Sequence, residues 1–283
     1  MNQYVCLNGD FHKADKPHIF LANRAFNYGD AFFETMHACG TRVQFLEDHF
    51  ERIQKSMERL KMNAPSYFNI EFLEKKISKL LNLNKIFGGA RVKLNIYREA
   101  EGYYMPAGNE FGFAIGATHL ENDDYKLNKR GLMLGVYEEM KKPLNRLSPV
   151  KTSNSLIYVM AGIYCKEKKF NDCMILNEND AVCEAISSNI FLVQHNNIYT
   201  PVLADGCVNG IMRKNIISIA EHMGYKVIKA GNINPDDLVF VDEIFLTNSI
   251  SGIRWVVAYR DKRYFNTVSS KLIQNLNQIA FRR

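Results

Sequence analysis

The chain has 283 residues, 47% of them hydrophobic and 23% charged, with 36 basic and 30 acidic side chains giving a net charge of +6. That length exceeds what one hydrophobic core usually organises, so two domains are expected. The basic residues are scattered rather than clustered with aromatics, which sets nucleic acid aside as a partner, and no stretch approaches the roughly 18 uninterrupted apolar residues of a membrane span.

Taken in order, YVCLNGDFHKAD reads as two short strands about an Asn8-Gly9-Asp10 turn, a hairpin signal. Phe26, Tyr28, Phe32 and Phe33 make an aromatic-rich strand. From Phe45, apolar residues recur three or four apart, which predicts a helix over about 46–61, and a second amphipathic helix is expected over about 69–83. GARVKLNIYRE and EFGFAIGATHL then alternate as strands. The polar stretch ENDDYKLNKRG suits a link, so the chain divides into a smaller N-terminal α/β domain at 1–120, a link at 121–131 and a larger domain at 132–283. In the second half, β runs (MLGVYEEM, DCMILNEN, NIFLVQHNNIYTP, EIFLTNSI) mix with helical ones (SLIYVMAGIYCKEKK, MRKNIISIAEHMG) without strict alternation. The fold class is therefore α+β. Lys166, Lys168 and Lys169 suit a helix end, where cations face unpaired carbonyls.

The six cysteines, Cys6, Cys39, Cys165, Cys173, Cys183 and Cys207, include no CxxC pair. Neither a metal site nor a disulfide framework is expected. The segment MNQYVCLNGDFHKADKP lacks a basic run followed by an apolar one, so the expectation is a reduced, cytoplasmic protein.

Two residues stand out for chemistry. Lys151, in SPVKTSN, lies at a strand-to-helix junction, followed by Thr152, Ser153 and Asn154, all good N-cap types. A lysine packed at such a junction can be tuned into an amine nucleophile. Glu184, in AVCEAISSNIF, is a lone carboxylate between apolar strands; buried there, it needs a cationic partner.

Four segments in this order resemble the class IV, or fold-type IV, pyridoxal-phosphate (PLP) aminotransferases: NRAFNYGDAFFETM with FLEDHFERI, SPVKTSN, CEAISSNIF with IYTP, and GCVNGIMRKNI with DEIFLTNSISGI. The resemblance implies a two-domain enzyme with its active site at the domain interface and PLP as cofactor. It implies that Lys151 forms the Schiff base and shuttles the proton, that Glu184 pairs with the pyridine nitrogen, and that Arg52 reaches the cofactor phosphate. Gly210 and the backbone N–H groups of Ile211 and Met212 would complete the phosphate cup, with Ser249 adding a hydroxyl. Many relatives have threonine at the position of Met212, so only its backbone contact carries over. Phe33, Arg98 and Arg254 are candidate substrate contacts, the two arginines for a carboxylate.

The resemblance also implies a homodimer in which the loop YREAEGYYMP completes a neighbour's site. Three activities share these motifs: branched-chain transamination, D-amino acid transamination, and cleavage of 4-amino-4-deoxychorismate to 4-aminobenzoate and pyruvate. CVNGIMR and KTSN are similar to the lyase branch, whereas Phe33 and a histidine-free loop depart from the D-amino acid pattern. A PLP-binding module without activity is the alternative of a different class.

Overall fold

A computed structural model describes residues 3–16 and 19–281. Residues 1–2, 17–18 and 282–283, which the expected domains include, lie outside that description. The chain forms two compact units. One runs through Asp124 and takes in Val150–Asn154; the other comprises Tyr125–Pro149 and the chain from Ser155 onward.

The first unit opens with β1 (Tyr4–Leu7) and β2 (Asp10–Lys13), paired from Tyr4 with Lys13 to Leu7 with Asp10. Asn8 and Gly9 turn between them with φ of 49° and 97°, the conformation in which Asn-Gly is favoured. A short helix α1 (Arg24–Tyr28) follows, then β3 (Ala31–Cys39), β4 (Arg42–Val43), α2 (Leu46–Arg59), α3 (Ile70–Leu83), β5 (Gly89–Arg98) and β6 (Phe111–His119). Phe26 and Tyr28 thus lie on a helical turn and only Phe32 and Phe33 on a strand, which corrects the single aromatic strand expected there. Gly29, at φ 64°, ends that turn by bonding back to the carbonyls of Arg24 and Ala25.

Among the described residues the strands make a six-stranded sheet in the order β2-β1-β6-β5-β3-β4. Alternation sends Phe32 and Met36 of β3, with Val92, Leu94 and Ile96 of β5, into a core shared with Ile53 and Met57 of α2 and Leu73, Ile77 and Leu80 of α3. The opposite face carries Phe33 and Thr35 beside Asn95 and Lys93, their register partners, and stays partly open.

Val150–Asn154 joins this unit by backbone bonds. Phe33 N donates to Lys151 O at 3.0 Å, Ser153 N to Ala31 O at 2.9 Å, and Phe32 and Thr152 form an antiparallel bridge. The lysine segment is therefore a strand fragment on β3, and the helix after it starts at Leu156 with Ser155 as its cap and no side-chain capping bond. Two expectations change: Thr152–Asn154 do not cap that helix, and Lys151 does not belong with residues 132–283.

The second unit contains β7 (Leu132–Lys142), α4 (Leu156–Lys168), β8 (Asp172–Asn177), β9 (Val182–Ala185), β10 (Asn189–Gln194), β11 (Asn197–Pro201), α5 (Ile211–His222), β12 (Lys226–Ala230), β13 (Glu243–Asn248), β14 (Gly252–Tyr259), β15 (Lys262–Arg263) and α6 (Thr267–Ala280). Eight strands run β12-β11-β10-β13-β14-β7-β8-β9, with β15 on β14. The sheet mixes parallel pairs, such as β7 with β8 and with β14, and antiparallel ones, in keeping with α+β.

The expected link at 121–131 is divided between the units at Asp124, and its second half is anchored. Tyr125 is buried, exchanges hydrogen bonds with Asn277 and meets Phe281 edge-on. Helix α6, whose apolar period at Val268, Leu272, Leu276 and Ala280 the sequence reading passed over, begins on the buried carboxylate of Glu243, which accepts from Val268 N and Ser269 N at 2.7 and 2.8 Å. Cys165 and Cys173 are joined as a disulfide. The turn from α4 into β8 brings their Cα atoms to 6.3 Å, within range for such a bond, so for this pair the reduced state expected from spacing is not what the structure has.

His37 is buried in the first unit, and that burial, against the pull of Asp123 and Asp124, lowers its pKa from 6.5 to about 4. The unfolded chain then takes the proton first, so stability is full above about pH 6.5 and falls as pH drops toward 4. In urea unfolding, His37→Gln should flatten that slope by up to ~1.4 kcal/mol per pH unit, removing about 3 kcal/mol of the loss between pH 6.5 and about 4; an unchanged slope would contradict the assignment.

Candidate active site

In the first unit, Lys151 is half-buried, and its Nζ lies 4.6 Å from the centroid of the Phe33 ring. The ring also lies 4.9 Å from Lys93 Nζ on the open sheet face. Two ammonium groups thus share one aromatic ring, which attracts cations through its quadrupole.

Arg52 sits one helical turn beyond His49, and both side chains leave α2 on the same side. Its Nε and Nη2 donate to Glu34 Oε1 and Oε2 at 2.7 and 2.6 Å, while His49 Nδ1 lies 2.7 Å from Oε2. Burial pushes the Glu34 carboxyl up, but Arg52 and His49 outweigh it and bring its pKa down to about 2. The guanidinium is therefore oriented by a fixed anion, with 9% of Arg52 exposed. Sequence reasoning passed over Glu34. Its signal was an acid among the inward-facing apolar residues of β3, between Phe32 and Met36.

Arg98 has a different task. Nε donates to Asp30, Nη1 to Asn109 Oδ1 and Lys61 O, and Nη2 to Leu60 O. Every nitrogen of that buried guanidinium is used within the first unit, on Asp30, Asn109 and two carbonyls at the end of α2, which sets it apart from a substrate contact.

In the second unit Glu184 lies within β9 with 3% of its surface exposed. Oε1 accepts from Lys142 Nζ and, at 2.7 Å, from Tyr158 Oη; Oε2 accepts from Val208 N at 2.9 Å. A carboxylate offers about four acceptor positions. The contacts among described residues fill both on Oε1 and one on Oε2, so one more donor fits at Oε2. Lys142 was not anticipated from the sequence, because one lysine among scattered basic residues gives no sign of burial.

The Val208 bond draws the carboxylate against the loop that opens α5. Asn189 Nδ2 holds Val208 O at 2.9 Å, and a Cβ on Gly210 would stand 1.9 Å from Asn189 Oδ1, so a side chain there would have to displace that amide. Gly210 is the N-cap of α5 and makes no side-chain capping bond. The helix start at Ile211 and Met212 is thus built from backbone N–H groups, the arrangement that binds phosphate. Ser249 lies in the turn after β13, a turn shaped by Asn248 Oδ1 accepting from Ile250 N and Ser251 N. Arg254 pairs with Asp172 at 2.6 Å and donates to Ser188 Oγ at 3.0 Å, bracing the β9–β10 turn.

PLP presents an aldehyde for a primary amine, a ring nitrogen for a carboxylate and a phosphate for cations and N–H donors. Lys151 and Arg52 in the first unit, and Glu184 with its one remaining acceptor position and the Gly210 helix start in the second, match those groups in kind. Among the described residues no three metal-ligating side chains gather, and no helix is long and apolar enough to cross a membrane.

The fold matches that of a branched-chain aminotransferase from Thermoproteus uzoniensis solved with norvaline, with a TM-score of 0.88 at 21% identity over 99% of this chain and 95% of that one. The family model described as Amino-transferase class IV matches residues 31–259. The chain belongs to that family, whose members are PLP-dependent enzymes. It is 27% identical over 239 residues to an aminodeoxychorismate lyase of Vibrio harveyi, spanning 83% of this chain and 85% of that protein. It is 28% identical over 256 residues to an aminodeoxychorismate lyase of Bacillus subtilis strain 168, spanning 88% and 84%.

If Arg52 holds the phosphate, it binds ground and transition states alike. Arg52→Ala should weaken the hold on PLP about ten- to hundredfold, the worth of a charge-assisted contact of roughly 1.5–3 kcal/mol, while saturating PLP restores most of the rate. Unchanged PLP affinity with a collapsed rate at saturation would instead place Arg52 at the reacting end.

Proposed function

We propose that the protein cleaves an amino-bearing, chorismate-derived dicarboxylate to 4-aminobenzoate and pyruvate, the reaction named for its Vibrio and Bacillus relatives. The observation that carries this choice is Lys93. A substrate with two carboxylates calls for cations, and Arg98 and Arg254 spend theirs on Asp30 and Asp172. Lys93 is exposed on the open face of the first sheet and contacts the same Phe33 ring as Lys151. Small residues beside it, Ala114 and Gly116, leave space, and a Cβ on Gly116 would meet nothing within 4 Å.

Bound PLP supplies an electron sink for the negative charge left when the amino-bearing carbon loses its proton. Lys151 Nζ would take that proton and deliver one to the methylene carbon of the enolpyruvyl group as the bond between its ether oxygen and the ring carbon breaks, so that the side chain leaves as pyruvate and the ring as 4-aminobenzoate. Glu184 would pair with the ring nitrogen. Arg52, the N–H groups of Ile211 and Met212, and the Ser249 hydroxyl hold the phosphate, and Phe33 bounds the substrate pocket.

The reading includes a homodimer. Phe20, Leu21, Phe26, Tyr103, Tyr104 and Met105 are strongly exposed in the first unit, and Arg24 fixes the second loop through Gly102 O and Tyr103 O at 2.7 and 2.6 Å. Apolar surface held in place in this way suits a second copy of the chain; a solution mass of one chain would remove it. Cytoplasmic residence is part of the same reading; Cys6, Cys39, Cys183 and Cys207 are free, while the Cys165–Cys173 disulfide is a bond uncommon in reducing compartments.

The deciding assay gives the PLP-loaded protein aminodeoxychorismate, or L-leucine, L-valine and D-alanine with 2-oxoglutarate. The expected outcome is 4-aminobenzoate and pyruvate in equal amounts, lost in Lys151→Ala and with a KM raised about tenfold or more in Lys93→Ala. Amino group transfer from the amino acids without 4-aminobenzoate would replace this reading by transamination.

A further inference from the structure

Lys142 is a lysine almost wholly out of water, with 6% exposed, which is rare for an ammonium without a partner. It stands at the end of β7, where the register against β8 slips between Tyr137 and Lys142 and Lys142 comes to pair with Asn177. Its neighbour Lys141 meets Asp180 at the surface. Lys142 Nζ instead reaches Glu184 Oε1 and lies 5.6 Å from the centroid of the Tyr158 ring.

The other groups around Glu184 come from three elements. Tyr158 is on α4, Cys183 on β9, and Cys207 on the loop before α5, with Asp205 and Arg213 behind it. Burial pushes the Tyr158 phenol and the Cys183 thiol well up, and the Cys207 thiol up to about 11, so at neutral pH all three are uncharged. Asp205 accepts from Asn232 N, and Arg213 donates to Thr200 and the Pro201 carbonyl. Lys142 is therefore the cation in direct contact with the Glu184 carboxylate.

We propose that Lys142 is a positioning residue for the cofactor ring: with Tyr158 it holds Glu184 by Oε1, leaves an acceptor position on Oε2, and offsets part of the carboxylate's charge. The inference rests on the reading of Glu184 as partner of the ring nitrogen. Its consequence is electrostatic. A proton on the bound cofactor is held less firmly beside a compensated carboxylate than beside a bare one, so taking away the ammonium raises the cofactor's proton affinity.

The test titrates the visible absorbance of bound PLP against pH in the wild type, Lys142→Met, Lys142→Gln and Lys142→Arg. Glutamine keeps a donor for Oε1 if methionine does not fold. The pH midpoint should rise by about one unit, a tenfold gain in proton affinity, in the Met and Gln variants and stay at the wild-type value in Arg. The rise should vanish when Glu184→Gln is added, since the two substitutions then act on one interaction. Met and Gln variants that retain PLP with a wild-type midpoint, or a rise that persists with Glu184→Gln, would overturn the proposal. A wild-type protein that takes up no PLP would overturn the ring-partner reading beneath it, a different failure.

Discussion

The second unit is organised around a carboxylate that has no access to bulk water. An isolated ionised group in that position is strongly disfavoured, and three parts of the chain answer it: Lys142 from the end of β7, Tyr158 from the first turn of α4, and Val208 N from the loop before α5. Because Val208 is also held through its carbonyl by Asn189, and Asn189 fills the space a side chain on Gly210 would need, the position of Glu184 is transmitted to the N-terminus of α5. In the proposed function, one buried charge would thereby set both the anionic contact for a ring nitrogen and the shape of the backbone cradle for a phosphate.

The first unit repeats the principle with other residues. Glu34 is as deeply buried and is satisfied by Arg52 and His49, so a guanidinium that would otherwise sample many rotamers is held in one orientation. The neighbouring strand edge receives the lysine segment through two backbone bonds and a bridge. Those bonds fix the main chain on both sides of Lys151 and leave its side chain to the Phe33 ring. Preorganisation of both kinds means that a bound cofactor does not have to order these groups itself.

Much of this was legible in the sequence where the signal is local. The Asn-Gly hairpin, the amphipathic α2 and α3 and the β5–β6 pair all follow from turn chemistry or periodicity. The family motifs pointed to Lys151, Glu184, Arg52 and Gly210, whose roles toward the cofactor belong to the proposed function. What the sequence hid are partnerships made across long separations. Nothing near residue 142 announces that its ammonium meets residue 184, nor near residue 98 that its guanidinium is used on Asp30 and two carbonyls at the end of α2. The assignment of Val150–Asn154 to the first unit has the same origin, since backbone pairing with β3 leaves no trace in residue types. Arg98 and Arg254 drew attention as isolated arginines; each has an acid partner, Asp30 for the buried Arg98 and Asp172 for the half-buried Arg254.

The account turns on Glu184 having one acceptor position left, on Oε2, once Lys142, Tyr158 and Val208 are counted. A crystal structure of the protein with PLP bound measures this directly. The expected result is the ring nitrogen within hydrogen-bond distance of Oε2, about 2.6–3.0 Å, with Lys142 and Tyr158 still on Oε1. A ring nitrogen directed at any other group, or a Glu184 side chain turned so that Lys142 alone retains it, would contradict the account.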